Sequence, residues 1–158
     1  MEKAVPVLFR ILLPLWLMLG LATAAKAEPE PALLTRSLPG KTLAQAAEAV
    51  KSAIASHNYT FVREQAIDSR LVPMGWEAKS ALIVYFCNFA KMNQALAVDV
   101  RAAQFMPCRV TLLETANGVD LVAVNPAWVS QSLGNPLLHQ DCVQLKADYL
   151  GILEEASL

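Results

Sequence analysis

Residues 109–125, RVTLLETANGVDLVAVN, decide the fold. Two apolar-rich runs flank Asn117-Gly118, and that pair is the strongest hairpin signal in the chain, because a type I′ turn requires positive φ at both central positions. The expected register sets Ala116 opposite Val119, Glu114 opposite Leu121 and Leu112 opposite Ala123. Pro107 suits the start of the leading strand, where no ladder donor is needed. Upstream, residues 81–89, ALIVYFCNF, form a nearly unbroken apolar run of strand length, as expected of a central strand covered on both faces. Asn88 can cap a short helix whose Phe89, Met92 and Leu96 share a face, and residues 99–104 add a further turn.

Nearer the N-terminus, residues 33–38 read as a strand and Pro39-Gly40 as a turn. Thr42 and Gln45 form a capping box for a helix with Leu43, Ala47, Val50 and Ile54 on one stripe. His57-Asn58 ends that helix and residues 59–67 read as a second strand. Asp68-Ser69-Arg70 follows, then a Pro73-Met74-Gly75-Trp76 loop, with Trp76 expected as a lid over a core edge. After Pro126 comes a short helical turn, and Gly134-Asn135-Pro136 leads into a closing helix carrying Leu138, Cys142, Leu145, Tyr149 and Ile152 on one stripe. The order strand, helix, two strands, helix, two strands, helix predicts a single small α+β domain. Its sheet is expected to be antiparallel or mixed, with helices packed mainly on one face.

The first 27 residues read as an export signal. Lys3 and Arg10 make a basic start, residues 11–22 are apolar, and Ala25-Lys26-Ala27 supplies a small-x-small cleavage pattern. The uncharged run after Arg10 is shorter than the roughly 20 residues that a bilayer core demands, so cleavage after Ala27 is favoured over a permanent anchor. Membrane contact is expected only through the uncleaved segment. Residues 28–31 then form a flexible leader and residues 32–158 the domain, in the periplasm or secreted. The mature chain has 131 residues with ten basic and thirteen acidic side chains. That balance leaves no basic patch and excludes nucleic-acid binding as an expectation.

The chain lacks C-x-x-C, C-x-x-C-H, H-E-x-x-H, G-x-S-x-G and any phosphate-binding glycine loop. The mature part has only His57 and His139, so no complete acid-base pair argues for a hydrolase, and an enzymatic role is disfavoured. No Met-x-x-Met or histidine run marks a dedicated copper site.

Phe86-Cys87-Asn88-Phe89 and, twenty residues on, Met106-Pro107-Cys108-Arg109-Val110 carry a resemblance to the domain of unknown function 302 family. Asp99, Arg101-Ala102-Ala103, Asn117-Gly118-Val119 and Asn125-Pro126 extend it over residues 59–126. The resemblance implies a small α+β domain that forms homodimers, without an assigned activity. It does not imply a disulfide between Cys87 and Cys108, since relatives without export signals share both positions. Cys142 lies outside the shared pattern.

Cys87 shares a strand face with Ile83 and Tyr85, where an unpaired cysteine acts as a small buried hydrophobe. Cys108 differs, because a side chain of Arg109 turned toward its sulfur would favour the reactive thiolate. Arg109 can otherwise pair with Glu114 or Asp99, or hold an anionic ligand. Cys142 falls on a core stripe, yet in an oxidising compartment it is the cysteine best placed to tie the last helix to Cys108 or Cys87. His139 and Cys142, three apart on a helix, share a face and can offer two ligands to a soft or borderline metal; otherwise His139 is a solvated first-turn residue. The reading that follows is a binding or accessory protein whose pocket near Cys87, Asn88, Cys108 and Arg109 takes a small ligand, haem or metal. The alternative is a thiol-redox or sulfur-carrier protein using Cys108 with Cys142 or Cys87. The residues identify no specific cofactor.

Overall fold

The computed structural model describes residues 29–67 and 81–158. The export signal, Asp68-Ser69-Arg70, and the Pro73–Trp76 loop with its Trp76 lid lie outside the described residues. Strand β1 (Leu33–Pro39) leads to helix α1 (Leu43–Ser56), then β2 (Thr60–Ile67) and β3 (Ala81–Cys87). Helix α2 (Phe89–Val98) and a 3-10 helix (Val100–Phe105) precede β4 (Cys108–Thr115) and β5 (Gly118–Val124), and α3 (Pro126–Gln131) and α4 (Pro136–Ala156) close the chain. The five strands form one antiparallel sheet in the order β1-β5-β4-β3-β2. The α+β class and the antiparallel sheet agree with the sequence pattern.

Local chemistry accounts for the boundaries. At the start of α1, Thr42 Oγ1 accepts from the Gln45 amide at 3.2 Å while Gln45 Oε1 accepts from the Thr42 amide at 2.9 Å, the reciprocal pairing of a capping box. Asn88, Asn125 and Asn135 cap the other three helices through their side-chain oxygens. The buried face of α1 is Ala46, Ala47, Val50, Ala53 and Ile54, small enough to bring the helix close to the sheet. It meets Leu34 and Leu38 of β1, Val84 and Phe86 of β3, Val110 and Leu112 of β4, Val119, Leu121 and Ala123 of β5, and Tyr149, Ile152 and Leu153 of α4 in one core. Those strand residues alternate in sequence, so the core and both long helices lie on one face of the sheet.

The hairpin register corrects the expectation. Leu112 stands opposite Leu121, Glu114 opposite Val119 and Thr115 opposite Gly118, so the turn residues are Ala116-Asn117, one place earlier than Asn117-Gly118, and each pairing slips by two residues. Asn117 is not in the positive-φ region, whereas Gly118 has φ +146°; the type I′ turn is absent. Gly118 belongs to β5 and pairs with Pro39 on its other side. A Cβ there would lie 2.2 Å from the Leu38 carbonyl oxygen and 2.8 Å from the Gly40 nitrogen. The close approach of β1 requires this glycine, and the Gly40 amide donating to the Asn117 carbonyl at 2.8 Å locks the corner. Because the slip is two residues, every side chain keeps its expected face.

The leader expectation also changes. Glu30 accepts from Lys146 of α4 at 2.7 Å and from Asn125 at 3.0 Å, and Pro31 offers its carbonyl to Asn125 at 2.7 Å. Order therefore begins before Ala32. On α2, Met92 and Leu96 are half-buried but Phe89 is 56% exposed, so the expected three-residue face loses its first member.

Candidate functional site

The end of β3 and the start of β4 open into a cavity of about 160 Å³, bordered by α2, the 3-10 helix and α4. Cys87 is the last residue of β3, Cys108 the first of β4, and Cys142 lies on the buried stripe of α4. All three line this cavity, together with Asn88, Met92, Ala95 and Leu138. Part of its wall is a second small apolar cluster, in which Ala102, Leu138 and Cys142 pack with Leu96, Phe105 and Met106.

All three cysteines are buried and free, so neither expected pairing of Cys142 with Cys108 or Cys87 is formed. Burial raises the Cys87 thiol, whose sulfur stands 3.7 Å from Met92 Sδ. Burial pushes Cys108 up to about 11, against a lowering hydrogen bond from Tyr149. It raises Cys142 as well, against a hydrogen bond from Ser130. A proton held in an apolar wall costs less than a thiolate there.

Arg109 departs from its expected place. Cys108 faces the core while Arg109, its neighbour along the strand, is exposed, because successive strand residues point to opposite faces. Arg109 instead borders a separate cavity with Gln104 and Val129 and donates its backbone amide to the Tyr149 hydroxyl at 3.0 Å. Nor does Asp99 hold Arg109: its carboxylate takes Arg101 at 2.7 Å and Asn135 at 3.1 Å.

His139 and Cys142 do share a face, joined through Ser130. The Ser130 hydroxyl is 2.8 Å from His139 Nδ1, and the same residue hydrogen-bonds Cys142. Among the described residues, no three His, Cys, Asp or Glu side chains gather closely enough to hold a metal ion. That pair therefore lacks a third ligand of those types.

A polar triangle beside the cavity was not singled out in the sequence. The Tyr59 hydroxyl donates to Asp148 Oδ2 at 2.5 Å, and Lys91 pairs with the same oxygen. Burial raises Asp148, but Lys91 and Tyr59 outweigh it and hold the carboxyl below its usual range. Burial and then Asp148 push the Tyr59 hydroxyl well above the ordinary phenol range. Lys91 and Tyr59 line the cavity, so a fixed ammonium and a phenol sit at the edge of an otherwise thiol- and methyl-lined space.

The family description "Domain of unknown function DUF302" matches residues 34–156, a span that extends past residues 59–126 on both sides and takes in Cys142. The crystal structure of an uncharacterized conserved DUF302 protein from Bacillus stearothermophilus is similar in fold, with a TM-score of 0.73 at 12% identity over 80% of this chain and 99% of that one. No curated protein matches the chain. With the family pattern running through every strand of the sheet and all three cavity cysteines, this chain belongs to the DUF302 family.

Proposed function

We propose that this DUF302 domain is an exported binding module, working as a homodimer, whose cavity among the cysteines takes a small ligand. One observation carries the reading: Cys87, Cys108 and Cys142, distant in sequence, line one cavity. Its volume, about 160 Å³, lies below the roughly 300–1,000 Å³ of sites for drug-sized molecules, which favours a small occupant over haem. It is close to the roughly 150 Å³ at which an apolar cavity takes up benzene or xenon. The thiol-redox and sulfur-carrier reading draws on the same convergence and is weaker, because burial raises all three thiols and none is bonded to another.

Benzene titration followed by methyl NMR tests the cavity. Saturable shifts are expected at Met92 and Leu138, and Ala95→Leu, which fills the space, should remove them. Unshifted methyl signals at saturating benzene refute a binding cavity. For export, the intact mass of the mature form should begin at Glu28; a membrane-bound form retaining Trp16 refutes cleavage. For assembly, the outer sheet face exposes Leu33, Leu113 and Val124, apolar surface that a second copy would cover. Light scattering should give twice the chain mass, and a monomer refutes the dimer.

A further inference from the structure

Every sulfur-bearing side chain among the described residues lines the same cavity: Cys87, Met92, Met106, Cys108 and Cys142. Sulfur also serves as ordinary core filler, and Cys108 belongs to the main core and Met106 and Cys142 to the second cluster. Here it converges from β3, α2, the segment after the 3-10 helix, β4 and α4 on one space. The main core, by contrast, is built from Val, Leu, Ile, Ala, Phe and Tyr, with Cys108 the one sulfur at its edge.

Distance adds a second, independent argument. Two sulfurs on one metal ion, with arms of about 2.3 Å at tetrahedral to trigonal angles, lie roughly 3.8–4.0 Å apart. Cys87 Sγ and Met92 Sδ are already 3.7 Å apart. Cys108, on the adjacent strand and across the ladder from Phe86, lines the same cavity. The cavity wall contains no histidine. A donor set of thiolate and thioether with no imidazole selects a soft ion such as Cu(I) over Zn(II), Mn(II) or Mg(II). A two-thiolate, one-thioether site carries one net negative charge with Cu(I); Lys91 lines the same wall with its ammonium paired to Asp148.

We propose that the cavity holds one monovalent copper ion, ligated by Cys87 Sγ, Met92 Sδ and Cys108 Sγ. The inference rests on the cavity being a binding site and names its occupant. Each binding thiol gives its proton to solvent, and with the metal supplied as Cu(I) no electron is transferred.

The test is titration of the reduced, metal-free protein with Cu(I) under nitrogen, in competition with bathocuproine disulfonate, followed by copper X-ray absorption. One ion per chain is expected, with sulfur-only scattering near about 2.3 Å. Cys87→Ser and Met92→Leu should each weaken binding by roughly tenfold or more. Met92→Leu conserves volume and remains informative where a cysteine variant fails to fold. Substoichiometric copper, nitrogen or oxygen scatterers in place of sulfur, or an unchanged affinity in Met92→Leu overturns the site. Benzene binding that survives such a result leaves the cavity reading standing, and its loss removes both.

Discussion

Metal-free protein treated with a thiol alkylator at pH 7 should leave Cys108 almost untouched. With its thiol pushed up to about 11 by burial, roughly one molecule in 10⁴ carries the thiolate at pH 7. An exposed cysteine of pKa about 8.5 is ionised in about one molecule in thirty, so the reactive population falls about 300-fold. The same shift bears on stability. A thiol whose pKa is raised by folding binds its proton more tightly in the native state, so its contribution is fully present below about pH 8.5 and is lost as pH rises toward 11. Across that window the loss is about 3 kcal/mol. The assay pairs peptide-mapped iodoacetamide rates, taken in the presence of a chelator, with urea midpoints between pH 7 and 10. Cys108→Ser should flatten the alkaline fall that the unaltered chain shows. Alkylation of Cys108 in the native protein at the rate of an exposed thiol, or equal alkaline slopes in the two chains, would refute the reasoning.

Gly118→Ala should cost about 2–4 kcal/mol, combining positive-φ strain with a Cβ driven into the backbone of β1. Gly40→Ala, at φ +72° with open space around it, should cost only about 1–2 kcal/mol; equal melting midpoints for the two would show that β1 yields to the new methyl. Asn125→Ala should cost about 2–3 kcal/mol, since the fully buried side chain accepts from the Ala127 and Trp128 amides and donates to Glu30 and Pro31; a change below 0.5 kcal/mol, on the order of a typical surface substitution, would mean that water replaces it. Asp148, held below its usual range by Lys91 and Tyr59, stabilises the fold above about pH 4, and that contribution disappears as pH falls through its depressed pKa. The stability lead of the unaltered chain over Asp148→Asn should therefore shrink below about pH 4, and parallel pH profiles would refute the coupling.

The helices were legible because their signals are local. Thr42 with Gln45, Asn88 and Asn135 each act within three residues, and period and cap coincide in every case. The β4–β5 register was not, because the segment that decides it lies far away in sequence: the backbone of residues 38–40 approaches Gly118 too closely for any side chain. A dipeptide rule sees Asn-Gly and assigns a turn, whereas the edge strand turns the same glycine into a strand residue. Face assignments survived since the error was an even number of residues.

The site divides along the same line. Alternation along β4 separates Cys108 from Arg109, so burial of the cysteine in the sheet core by itself argues against a guanidinium beside its sulfur. Helical spacing did bring His139 and Cys142 to one face, but the serine that joins them comes from α3 and no periodicity points to it. Tyr59, Lys91 and Asp148 meet from three elements, and none stands out from its own neighbours as a catalytic or binding residue would. Met92 is the instructive case. Its place on a helical apolar face reads as core packing, whereas its sulfur stands beside Cys87 at the end of β3, on a helix whose first turn Asn88 caps. A substitution that weakens that cap should therefore move the Met92 sulfur away from Cys87 while leaving the sheet core, built on the alternation of β3, β4 and β5, in place.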